Sequence, residues 1–97
     1  MSRFVVRRIP GPGWQAGVPL RSQPNWPAHA TFMNGLAEDR FVVLGGPIGS
    51  GNHALLVVEA DTEAQIRERL AGDPWSEAKI LTVSVIEPWA ILLSSKT

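Results

Sequence analysis

The chain has 97 residues, enough for one domain near the lower end of comfortable independent folding, so a single unit spanning 1–97 is expected. Nine basic and nine acidic residues cancel to a formal charge of zero, and no Lys/Arg run offers an electrostatic footprint for nucleic acid or an anionic membrane. Cysteine is absent, which excludes thiol nucleophiles, disulfide staples and cysteine-ligated metals and fits a reducing, cytoplasmic compartment.

The apolar stretch near the amino terminus is too short for a signal peptide, and no apolar run approaches the roughly 18 residues of a membrane span. With 44% hydrophobic residues a real core can form, while 19% charged is low for a small soluble monomer. Some apolar surface is therefore expected to be hidden in an oligomer.

Phe4 to Ile9 reads as a first strand, apolar in the middle and flanked by arginines. Residues 10–27 carry five prolines and three glycines and read as a long loop. Trp14 and Trp26 lie in it or at its end, and two indoles imply a loop that packs over something. Asn25 is the expected N-cap of a helix running to about Asp39, with Pro27 tolerated in the first turn. His29, Phe32, Met33 and Leu36 recur at helical spacing and mark the buried stripe.

Phe41 to Leu44 is a continuous apolar strand ending at Gly45-Gly46-Pro47, and Gly49-Ser50-Gly51-Asn52 turns the chain into a third strand over Ala54 to Ala60. Asp61 is the expected cap of a second helix carrying Ile66 and Leu70 inward, and Gly72 its expected C′ residue. Asp73-Pro74-Trp75 breaks the chain, and a last strand is expected from Leu81 to Leu93, with Pro88 marking an edge or a bulge.

The order is β-α-β-β-α-β, the ferredoxin-like α+β arrangement: a four-stranded antiparallel sheet with two helices on one face. Strands two and three are apolar at both parities, so the uncovered face needs its own cover. A second copy is the simplest one, which predicts a sheet-to-sheet homodimer.

This topology gathers Arg7 and Arg8, the start of the first helix with His29, and Asp73 at one end of the sheet. Glu38 and Asp39 fall nine or ten residues beyond His29, roughly 14 Å along the helix, which makes Asp73 the better carboxylate partner. A neighbouring carboxylate holds an imidazole in one tautomer, as a general base requires. Arg7 or Arg8, according to strand parity, would hold a substrate oxygen, and Trp75 is a candidate substrate contact. The plainer alternatives are a hydrogen-bonded core histidine, an aspartate capping the next turn, and tryptophans filling core or interface. Two histidines with distant carboxylates make no metal motif. Neither a metal nor a cofactor is expected.

Taken together, several segments resemble the YCII-like family, small dimeric proteins related to the dimeric α+β barrels. The resemblance is carried by Phe4-Val5-Val6, Trp26-Pro27-Ala28-His29, Phe41-Val42-Val43-Leu44-Gly45-Gly46-Pro47, Ala54-Leu55-Leu56-Val57-Val58-Glu59-Ala60, Asp73-Pro74-Trp75 and Glu87-Pro88-Trp89. It implies a site built on the helix histidine, matched by His29, and the Asp-Pro aspartate, matched by Asp73. The family's other acidic position falls near Glu38. The family includes a chlorohydroquinone dehydrochlorinase, and the related barrels include monooxygenases and muconolactone isomerases.

The expectation is a cofactor-free lyase or isomerase, dehydrochlorinase-like, acting on a small anionic or aromatic molecule through a His29–Asp73 dyad. The alternatives are a non-catalytic dimeric module binding a metabolite or a partner, and a cofactor-independent monooxygenase.

Overall fold

The computed structural model describes residues 2–95. Strand β1 (Ser2–Pro10) is followed by the Pro-rich loop, helix α1 (Trp26–Glu38), strands β2 (Val42–Ile48) and β3 (His53–Ala60), helix α2 (Glu63–Ala71), the short helix α3 (Pro74–Glu77) and strand β4 (Leu81–Pro88). The strands form one antiparallel sheet in the order β2-β3-β1-β4, with the helices on one face.

Alternation along β1 decides what meets the helices. Phe4, Val6 and Arg8 are buried, paired across to Val58, Leu56 and Ala54 of β3. Phe4, Val6, Leu56 and Val58 join Leu36 of α1 and Ile66 and Leu70 of α2 in the main core. A smaller cluster of Trp75, Ile80 and Leu81, backed by Trp14, Leu20 and Trp26, fills the end where β1 finishes.

On the other face lie Val5, Arg7, Leu44, Leu55, Val57 and Val85, as their strand register requires. Leu44 is 68% exposed there.

Several boundaries differ from the sequence expectation. Asn25 does occupy the position before α1, but at φ 63° its side chain makes no cap, and its carbonyl accepts from the His29 amide at 3.0 Å. Helix α2 is capped by Thr62 and not Asp61. Thr62 Oγ1 accepts from the Gln65 amide at 3.1 Å, and Gln65 Oε1 accepts from the amide of Asp61, the residue before the cap, at 2.8 Å. Gly72 ends the helix in right-handed geometry, φ −75°, so the left-handed exit expected of it does not occur. Strand β4 stops at Pro88 and not Leu93. Pro88 pairs with Phe4, and the Trp89 amide donates to the Arg3 carbonyl at 2.9 Å just beyond the strand.

The Pro-rich loop is tied down. The amides of Gly11 and Gly13 donate to the carbonyls of Ile80 and Lys79 at 3.0 and 2.9 Å. A Cβ on either glycine would run into the backbone of Ala78 or Lys79, so this close approach requires glycine. Gln23, buried inside the loop, donates through Nε2 to the carbonyls of Gln15 and Val18 at 2.9 and 2.7 Å and accepts from the Gln15 amide at 2.9 Å.

Candidate active site

The chain order brings His29 and Asp73 together from 44 residues apart. His29 lies in the first turn of α1, and its Nδ1 is 2.9 and 2.8 Å from the two carboxylate oxygens of Asp73. Asp73 sits immediately before α3, where Pro74 is tolerated because a first-turn amide has no helical acceptor. Its Oδ1 accepts from the Trp75 amide at 3.0 Å and so caps α3. Its Oδ2 accepts from Arg8 Nη1 at 2.8 Å. The other guanidinium arm, Nη2, donates to Ser76 Oγ at 2.8 Å.

Arg8 and Asp73 have no exposed side-chain surface. Burial pushes the Asp73 carboxyl pKa up. The hydrogen bonds from His29, the Trp75 amide and Arg8, together with the guanidinium charge, outweigh that and hold it below its ordinary 3.8. Asp73 is thus a carboxylate at neutral pH and can only accept. The hydrogen shared with His29 therefore belongs to Nδ1, leaving Nε2 with a free lone pair in the neutral ring.

Trp75 fixes the imidazole plane. The two rings stack at 3.9 Å between centroids and 6° between planes. Trp75 is itself held by its indole N–H, which donates to the Pro24 carbonyl at 2.7 Å, and by the edge of Trp14 at 6.3 Å.

His29 borders a cavity of about 450 Å³. Its floor is Arg8, Ala54, Leu56 and Leu81. Helix α1 contributes Trp26, Met33 and Asn34 to one wall, and β2 contributes Val43, Gly45 and Gly46 to the other. Leu20 and Arg21 of the turn Leu20–Ser22 reach it from the Pro-rich loop. A pocket of this size with mostly apolar walls and a few polar groups suits a small organic ligand.

Two sequence expectations need correction. Arg7 pairs with Leu55 and Val85 and projects from the uncovered sheet face, so it cannot reach a ligand beside His29. Strand parity gives that end to Arg8. Trp75 has no accessible surface and lies behind the imidazole, so it supports His29 and cannot touch a ligand. Glu38 lies exposed in the last turn of α1, away from His29. The roles of Ser76 and Gln23 are legible only in the structure. A serine after Asp-Pro-Trp and a glutamine in a loop carry no periodic signal.

Among the described residues no group of three or more His, Cys, Asp or Glu is placed to hold a metal. No helix among them is long and apolar enough to cross a membrane.

No protein-family model matches the chain, and no curated protein matches its sequence. Solved structures do share its fold. One is the 5-chloro-2-hydroxyhydroquinone dehydrochlorinase of Burkholderia phenoliruptrix AC1100, solved in complex with 2,5-dihydroxybenzoquinone. The two superpose with a TM-score of 0.68 over 91% of this chain and 93% of that one, at 21% identity. At this identity the likeness shows the α+β ferredoxin-like fold.

Proposed function

We propose that the protein is a cofactor-free lyase or isomerase of the YCII-like type, in which His29 moves a proton on a small aromatic or anionic molecule in the cavity. The observation that carries this reading is the His29–Asp73 contact at 2.8 Å through Nδ1, on a residue that lines the cavity and whose Nε2 has no hydrogen bond among the described residues.

His29 Nε2 takes a proton from an acidic O–H or C–H of the substrate, and the imidazolium that forms is stabilised by Asp73. The electron pair left behind enters the conjugated system of the substrate. In an isomerisation the imidazolium returns the proton to a ring carbon; in an elimination that carbon bears the leaving group, and loss of a second O–H proton to His29 then forms the second carbonyl and expels the group, chloride for instance. Arg8, paired with Asp73 beneath the cavity, keeps that carboxylate ionised. The fold shared with a dehydrochlorinase supports the elimination by analogy.

Chloride release from chlorinated hydroquinones tests the reading. His29→Ala should lower the rate by about 10²–10⁴-fold while the protein stays folded. An equally active His29→Ala variant would contradict it. The full set of hydrogen bonds on Asp73, including its cap on α3, favours a second reading, a non-catalytic binding module. In that case the same substitution alters ligand affinity or stability, and there is no turnover to lose.

The homodimer belongs to the same proposal. Leu44 on the edge strand β2, beside Val57 and followed across the sheet by Val5, with Leu55 next along β3, makes that side of the uncovered face apolar. Sedimentation should show a dimer, and Leu44→Glu should shift it to monomer. A monomeric parent protein would remove this part of the account.

A further inference from the structure

The sequence directs attention to Arg7 and Arg8 as anion holders, yet neither is free for that task. Arg7 is on the wrong face, and Arg8 is neutralised by Asp73 and bonded to Ser76. A different cation reaches the cavity. Arg21 is exposed, lines the cavity, and holds its guanidinium 5.9 Å from the centre of the Trp26 ring. Trp26 in turn lies 5.6 Å from the imidazole of His29. One indole therefore separates the proton-transfer group from a guanidinium at the rim.

The charge balance around the cavity has one sign. No Asp or Glu lines it among the described residues, and none of them pairs with Arg21. Because Asp73 cancels Arg8, Arg21 leaves the cavity with an uncompensated positive charge. The arginine is also presented by an ordered turn. The Ser22 amide donates to the Pro19 carbonyl at 2.9 Å, the Gln23 amide donates to the Leu20 carbonyl at 3.2 Å, and the buried Gln23 side chain anchors the loop on either side. A guanidinium lying over an indole keeps its edge N–H donors available for a planar carboxylate.

We propose that Arg21 makes the cavity selective for a small aromatic carboxylate, gripping its carboxylate at the rim while the ring lies against Trp26 and its far edge faces His29. This rests on the cavity being the ligand site of the proposed function, and not on the reaction assigned to it. It gives the Pro-rich loop a role: its turn carries the specificity-determining cation.

The test is calorimetric titration of the intact protein with 2,5-dihydroxybenzoate and with hydroquinone, which share the dihydroxy ring but differ in the carboxylate. The parent protein should bind the carboxylate about tenfold or more tightly than the neutral ring. Arg21→Gln, an exposed change, should erase that gap, and Arg21→Lys should keep part of it. A gap that survives Arg21→Gln overturns the proposal, as does a parent protein that binds neither ring or favours neither. His29→Gln should retain the gap. A gap in a parent protein that turns over no chlorinated hydroquinone would remove the proposed reaction and leave Arg21 in place.

Discussion

Two steps along one strand separate two kinds of packing. Val6 and Arg8 both point from β1 toward the helices, and both are fully buried. Val6 enters an apolar core with Leu36, Ile66 and Leu70, where contacts are non-directional. Arg8 enters a directional network with Asp73, Ser76 and His29, where its two Nη groups are paired, its buried Nε is not, and removal of a partner would leave a further group unpaired. The first end of the domain holds the sheet to the helices. The second holds a histidine at one angle beside a cavity, and its stability and its geometry come from the same few bonds.

Removing one partner from the network should break that end most severely. Arg8→Met leaves the Asp73 carboxylate buried without its cation and should cost about 3–5 kcal/mol in a denaturant titration. Leu70→Ala in the apolar core should cost about 3 kcal/mol. Their couplings should differ more than their sizes. Arg8→Met combined with Asp73→Asn should cost less than the two single changes added, whereas Arg8→Met and Leu70→Ala should add. Additivity in both pairs would mean that the network is no more cooperative than the core.

Acid sharpens the same contrast with a smaller effect. The folded-state pKa of Asp73 lies below its ordinary 3.8, so the unfolded chain takes up the proton first. The stability from this group is complete above about pH 5 and is lost as pH falls through the lowered value. Asp73→Asn should therefore be less stable than the parent at neutral pH and lose less stability between about pH 5 and pH 2. A parallel loss in both proteins would show that Asp73 gains no net stabilisation as an anion.

The contrast also explains what could be read from the sequence. Periodicity marked the inward stripe of α1, and element order alone placed the start of α1 beside Asp73, because antiparallel crossings determine which ends meet. The choice between Arg7 and Arg8 was not legible, since a one-residue shift in a strand exchanges its faces. Asp61 and Thr62 are both competent cap residues by type, and only the bond from the Gln65 amide to Thr62 Oγ1 shows which one caps. Arg21 and Gln23 were out of reach for a different reason. They sit in a loop whose shape depends on glycines meeting the backbone at Lys79, a contact between segments more than 60 residues apart that no local pattern encodes. Trp75 stands out in the sequence as a large aromatic beside Asp73, but only the stack on His29 shows that it acts from behind.

The central claim is that Asp73, as a carboxylate, holds the hydrogen of His29 on Nδ1 and leaves Nε2 bare toward the cavity. The most direct measurement is the ¹⁵N NMR spectrum of the His29 ring in the neutral-imidazole state, in the parent protein and in Asp73→Asn. The account predicts a protonated Nδ1 and an unprotonated Nε2 in the parent, with that preference weakened in Asp73→Asn. An Nε2–H tautomer in the parent would contradict it, because the ring would then present no base to the cavity.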